Sequence, residues 1–285
     1  MTPHLIDAAA LGSCLADPNL LIVDCRADLL DYDWGPRQYA TGHIPGAVHA
    51  SLNGDLSGPT GPGTGRHPLP SPQQFAATLA RWGVTPHTRV IAYDQGPGAY
   101  AARLWWLLRA CGQSAVQVLD GGWAAWIAAG LTLQTAAATR IPSVVTPADF
   151  AGWVDAEHIL AALRGGSALV VDARGADRYA GQNETIDPVA GHIPGAVNQP
   201  FTSNLGADGR FKPAAVLREQ WLDRLGQFGP TQLIASCGSG ITACHNLLAL
   251  SQAGLEGGRL YAGSWSHWIR DPQRPIATGT EPGSL

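Results

Sequence analysis

The sequence predicts an α/β chain of two tandem domains, each a mostly parallel sheet with helices on both faces. Three observations carry this reading. The chain repeats itself: LIVDCRADLL (21–30) is matched by LVVDARGADR (169–178), GHIPGAV occurs at 42–48 and again at 191–197, RVIAYD (89–94) is matched by QLIASC (232–237), and LDGGWAAW (119–126) by LYAGSWSHW (260–268). Within each copy, short apolar runs alternate with helical patterns, which marks βα units around a parallel sheet. Finally, 285 residues exceed the roughly 250 at which single cores tend to split.

Taken in order, each copy reads as an apolar strand, a loop, the GHIPGA turn and a helix. A second apolar strand, a glycine-containing loop, a helix, a short strand and a Gly-Trp turn with its helix follow. The threonine- and alanine-rich stretch TLQTAAATRIPSVVTPADF (132–150) reads as the strap between the halves, which places the domains at residues 1–131 and 150–285 with a linker over 132–149. The Pro/Gly-rich insert SGPTGPGTGRHPLP (57–70) occurs in the first half only and reads as an irregular surface loop. The ten tryptophans include pairs three apart in both halves, Trp123/Trp126 and Trp265/Trp268, and this repeated spacing assigns them to packing.

Composition excludes several classes of function. A hydrophobic content of 45% with 14% charged residues describes a core-rich globular chain, and a formal charge of −4 offers no basic surface for nucleic acid. No run of 18 apolar residues and no basic segment followed by an apolar one is present, so a soluble, cytoplasmic, membrane-free protein is expected. Five irregularly spaced cysteines argue for reduced thiols over a disulfide framework.

The duplication also sorts residues. Asp24/Asp172, Arg26/Arg174 and His43/His192 stand at equivalent places in both halves, so the shared fold explains them: an ion pair at a strand end and a histidine bracing the turn. Cys237 and Arg178 do not repeat, since Asp94 and Leu30 take their places. A nucleophile and a cation confined to one half indicate a single active site, in the second domain. Cys237 follows an apolar strand, at the carboxyl end where ligands bind in open parallel sheets. The backbone N–H groups of Gly238, Ser239, Gly240, Ile241 and Thr242 are expected to turn toward its sulfur, with Gly238 and Gly240 allowing φ values that side chains resist. The positive end of the following helix adds to them and favours the thiolate, the reactive form.

These residues resemble a family. The duplicated halves, the paired GHIPGA turns and an active cysteine in the second half alone are similar to the tandem-domain sulfurtransferases of the rhodanese superfamily, over essentially the whole chain. The loop CGSGITA (237–243) resembles that of the 3-mercaptopyruvate sulfurtransferases, Cys-Gly-Ser-Gly-Val-Thr-Ala, more than the basic loop of the thiosulfate enzymes. The resemblance implies two rhodanese-like domains, the first inactive, and sulfur transfer from 3-mercaptopyruvate through a Cys237 persulfide to a small thiol, thioredoxin or cyanide, without cofactor or metal. It implies Arg178 as the clamp on the donor carboxylate, Ser239 at the keto oxygen, Thr242 bonding within the loop, and His43 in a relay with Ser239, with Asp31 or Asp33 as the acid. One departure stands out: these enzymes usually carry a second arginine before the second GHIPGA, and YAGQNETIDPVAG (179–191) has none. Arg66 and Arg103 are the candidates to replace it, and thiosulfate stays open as an alternative donor.

Rival readings of Cys237 fail on spacing. A cysteine phosphatase needs an arginine about six residues on, where this chain has Ala243. Cys237, Cys244 and His245 match no short metal-binding pattern. A bridge from Cys237 to Cys244 would have to span a rise of about 10 Å along a helix, beyond the ~7 Å limit on Cα separation. A duplicated recognition module with a vestigial cysteine is the non-enzymatic alternative.

Overall fold

The computed structural model describes residues 4–285 and divides them into two compact units. Unit 1 holds the chain up to Gly58, then Leu69–Ala151 and Ala207–Phe211; unit 2 holds Pro59–Pro68, Gly152–Gly206 and Lys212–Leu285. This differs from the linear division in three ways, the first being that Ala207–Phe211 of the second half belongs to unit 1. The strap over 132–149 packs with unit 1, where Gly83 meets the Ile141 carbonyl and Phe150 packs on Phe75 and Trp106. Part of the first-half insert, Pro59–Pro68, belongs to unit 2.

Unit 1 contains strands β1 (Leu5–Ile6), β2 (Leu20–Asp24), β3 (Val48–His49), β4 (Arg89–Tyr93) and β5 (Val116–Leu119), and helices α1 (Ala8–Ser13), α2 (Trp34–Thr41), α3 (Pro72–Arg81), α4 (Ala99–Ala110) and α5 (Gly122–Ala128). Unit 2 contains β6 (Leu169–Asp172), β7 (Val197–Asn198), β8 (Leu233–Ser236) and β9 (Arg259–Leu260), with α6 (Ala156–Arg164), α7 (Ala176–Tyr179), α8 (Ala214–Leu225), α9 (Thr242–Gln252) and α10 (Ser264–Trp268). The sheets run β1-β5-β4-β2-β3 and β7-β6-β8-β9, every pair parallel. A parallel bridge from Trp153 to Leu260 takes the place of β1 in the second sheet, so the repeat in sequence is a repeat in topology. Buried along their whole length, β2 and β8 are apolar up to their last residues, Asp24 and Ser236, as expected of parallel strands between helices.

The repeated residues perform matching structural tasks. Arg26 pairs with Asp24 at 2.6 Å and donates to the Gly42 carbonyl at 2.7 Å; Arg174 pairs with Asp172 at 2.7 Å and donates to Gly191 at 2.8 Å. Each guanidinium also lies over a tryptophan, Trp123 or Trp265. The turn histidines stack on tyrosines, His43 on Tyr39 and His192 on Tyr179, both at 3.8 Å between ring centroids. Their Nδ1 atoms meet those tyrosines' carbonyls at 2.8 and 2.9 Å; a carbonyl only accepts, so Nδ1 carries the proton.

Loop and helix after β4 form an amide cradle with no open place. The Asp94 carboxylate accepts from the N–H groups of Gly96, Gly98, Tyr100 and Ala101 at 2.9–3.4 Å. Burial still pushes its pKa up, against the downward pull of those amides.

Two outcomes follow for stability. Asp172→Ala removes the main partner of a buried guanidinium, leaving it the longer contact with Glu184, and should lower the unfolding free energy by about 3 kcal/mol, read from denaturant midpoints, whereas Arg37→Ala, which breaks the exposed pair with Asp31, should leave the midpoint unchanged. Asp94→Ala leaves its amides without an acceptor and should cost at least about 2 kcal/mol; an unshifted midpoint would mean that water replaces the carboxylate.

Candidate active site

Cys237 stands at the carboxyl end of β8, between β6 and β9, and α9 begins five residues later. Its side chain is buried. Of the five loop amides expected to face the sulfur, that of Gly240 makes the bond, at 3.1 Å from Sγ. Gly240 has φ +81°, and a methyl there would strike the Ala262 carbonyl oxygen at 2.5 Å, so backbone conformation and space both require glycine. Gly238 corrects the expectation: its φ is not in the left-handed region. A methyl there would lie 3.0 Å from Arg66 Nη2 and in ordinary contact, at 3.6–3.7 Å, with Arg178 Nη2 and Nη1. Two guanidinium groups therefore lie beside the residue next to the nucleophile.

A neighbouring turn holds the cysteine loop. Cys237 donates its amide to Ser264 Oγ at 3.0 Å, and Ser264 Oγ donates to the Tyr261 carbonyl at 2.9 Å. The carbonyls of Cys237 and Gly238 accept from the amides of Trp265 and Ser266, both at 2.9 Å. Ser264 is fully buried with φ +52°, the one non-glycine in the left-handed region among the described residues. Such a conformation costs about 1–3 kcal/mol and persists where surrounding bonds over-determine it.

The cations sit in a chain of alternating charge. Asp172 binds Arg174, whose Nη1 lies 3.4 Å from Glu184; Glu184 holds Arg178 through Nε at 3.1 Å and Nη2 at 2.8 Å; Asp187 then bridges Arg178 and Arg66. Glu184 also accepts from the amides of Ile186 and Asp187, which folds the 184–187 loop around its carboxylate. The segment without a second arginine thus contributes two acids that seat the arginines present. Burial pushes the Arg66 pKa down and Arg178 adds to this, while Cys237 and Glu184 pull the other way.

The remaining expected residues fall in different places. Ser239 is buried, and its Oγ lies 2.9 Å from Nδ1 of His67. His43 stays in unit 1, stacked on Tyr39 with Nδ1 committed to that residue's carbonyl; the histidine at Ser239 is His67. Asp31 pairs with Arg37 on the surface of unit 1, and Asp33 precedes α2 without a side-chain capping bond. Arg103 is buried inside unit 1 with Nε on the Leu56 carbonyl, so of the two replacement arginines Arg66 is the one beside the loop. Ile241 is buried, Thr242 opens α9, and Cys244 packs on that helix with Sγ at 3.2 Å from the Gly240 carbonyl. All five cysteines are free, and the described residues contain no cluster suited to a metal ion and no helix long and apolar enough to cross a membrane.

His67, unlike Arg66, is not among the residues expected from the sequence, although the sequence holds a signal for both. Both lie in the insert present in one half only, and the rule that singled out Cys237 and Arg178 applies equally to them.

A family model of the rhodanese-like domain matches residues 7–129 and 155–271. The chain is 50% identical over 284 residues, 97% of its length and 98% of the relative's, to a Pseudomonas aeruginosa protein named "Probable 3-mercaptopyruvate sulfurtransferase". It is 39% identical over 283 residues, 97% of each chain, to a Mycobacterium tuberculosis protein that carries a thiosulfate sulfurtransferase name. Among solved structures it is similar to an Escherichia coli protein described with the 3-mercaptopyruvate sulfotransferases, at a TM-score of 0.81 and 34% identity over 93% of this chain and 100% of that one. Two matched domains, a shared topology and relatives aligned from end to end place the chain in one family: it belongs to the two-domain rhodanese-like sulfurtransferases.

Proposed function

We propose that the chain moves sulfur from 3-mercaptopyruvate to a thiol or to cyanide through a persulfide on Cys237. The observation that carries this is the pairing, around one buried cysteine, of a two-arginine cradle for a carboxylate with a Ser239–His67 pair for a keto oxygen.

In the first step the Cys237 thiolate attacks the donor sulfur. A sulfur–sulfur bond forms, the carbon–sulfur bond breaks, and its electron pair passes into the enolate of pyruvate. Negative charge gathers on the former keto oxygen. With Nδ1 protonated, His67 donates to Ser239, whose own hydroxyl proton is then turned toward that oxygen. The proton released by the donor thiol ends on the methyl carbon of pyruvate, so that thiolate plus donor become persulfide anion plus pyruvate. Arg178 and Arg66 hold the donor carboxylate, and the Gly240 amide stabilises first the thiolate and then the persulfide. In the second step a thiol attacks the outer sulfur, takes it as a persulfide and restores the Cys237 thiolate; cyanide leaves as thiocyanate by the same route. Small thiols and thioredoxin both fit this acceptor chemistry, and nothing in it calls for a metal or an organic cofactor.

The rate comparison of mercaptopyruvate with thiosulfate, with cyanide as acceptor, tests the donor. Mercaptopyruvate should give the higher kcat/KM, and Cys237→Ser should abolish transfer with both donors together with the gain of one sulfur atom in the mass of the donor-treated protein. A thiosulfate preference would overturn the donor assignment, and no persulfide with either donor would leave a recognition module.

Ser239→Ala should separate the two chemistries. With mercaptopyruvate kcat should fall about 10²-fold, the range for losing one positioned proton donor. With thiosulfate it should change little, because sulfite leaves as a stable anion. Equal losses with both donors would remove Ser239 from the keto oxygen.

A further inference from the structure

The two guanidinium groups over Gly238 are not equally available to a donor. Glu184 occupies Nε and Nη2 of Arg178, and Asp187 reaches both cations, one oxygen on Arg66 Nη1 and the other 3.4 Å from Arg178 Nη2. Among the described residues this leaves Arg178 Nη1 and Arg66 Nη2 without a protein partner, and these are atoms that lie beside Gly238. Each arginine shows one edge to the site, and each is matched by a carboxylate whose side chain is only 2% exposed.

Charge in such a place discriminates between donors. An unpaired couple of arginines attracts a dianion more strongly than a monoanion, and burial leaves little screening to blunt the difference. Carboxylates buried against them cancel the excess and keep the donor geometry. Glu184 cannot be varied to examine this, since it also ties Arg174 and two loop amides. The Asp187 carboxylate, by contrast, touches only the two arginines among the described residues.

We propose that Asp187 sets donor specificity: by bridging Arg66 and Arg178 it aims one edge of each at the donor and removes the positive charge a dianion requires, so that the cradle takes a monoanionic keto acid in preference to thiosulfate. Asp187 is a positioning residue that acts through the arginines, and the inference rests on the donor reading given above.

The test compares both donors in the wild-type chain, in the isosteric Asp187→Asn and in the charge-retaining Asp187→Glu. Asp187→Asn should raise kcat/KM for thiosulfate relative to mercaptopyruvate about tenfold or more, the effect of one uncancelled charge at short range, and Asp187→Glu should restore most of the wild-type ratio. Damage to the fold lowers both rates and does not reverse a preference. A second measurement needs no variant: methanesulfonate and sulfate have similar tetrahedral shapes and differ by one charge. As competitors of mercaptopyruvate in the wild-type chain, methanesulfonate should bind at least as tightly. An unchanged donor ratio in Asp187→Asn, or tighter competition by sulfate in the wild type, overturns the role of Asp187 and leaves the donor reading standing. A wild-type preference for thiosulfate sinks the donor reading itself.

Discussion

The buried pair of Asp172 and Arg174 at the end of β6 is the interaction on which the site depends. One guanidinium satisfies the strand-end carboxylate, caps the GHIPGA turn through the Gly191 carbonyl, lies over Trp265 and reaches Glu184. Scaffold and site meet at this residue. From Glu184 the alternation continues to Arg178, Asp187 and Arg66, so the proposed donor cradle is the outer end of a chain whose inner end is a fold element. A buried charge without its partner is costly, and each member of such a chain therefore constrains the next.

The two halves fill equivalent loops with different side chains. Both copies build a loop after the central strand that turns backbone amides toward a side chain at its start. In unit 1 that side chain is the Asp94 carboxylate, which accepts four of those amides. In unit 2 it is the Cys237 sulfur, with one amide bond from Gly240. The same backbone device thus serves an acceptor in each copy, a carboxylate that takes up four amides in one and a sulfur that takes one in the other. The cation differs in the same sense, because the counterpart of Arg178 is Leu30, 84% exposed at the surface of unit 1.

Placement of the sulfur also relies on stored strain. Ser264 keeps a left-handed backbone because its hydroxyl links the Cys237 amide to the Tyr261 carbonyl, while the next two amides bind the loop carbonyls. A glycine would relieve the strain and lose the hydroxyl. The Gly-Ser-Trp turn, which the sequence marks only as packing, thus fixes the nucleophile as well.

By itself the sequence determined the duplication, the parallel α/β architecture, the cysteine at a strand's carboxyl end, and the isolation of Cys237 and Arg178 in one half. Those features are written in short-range periodicity, in turn residues and in a comparison of like with like. Tertiary structure alone decided which histidine meets Ser239, which arginine joins Arg178, and that two guanidinium groups lie beside Gly238. The physical reason is separation along the chain: His67 lies 172 residues from Ser239 and Arg66 lies 121 from Asp187. Such contacts arise when an insert packs against a distant loop, and no local pattern encodes them. His43 was the better candidate by position within a motif, yet its Nδ1 and its stacked face are committed to Tyr39.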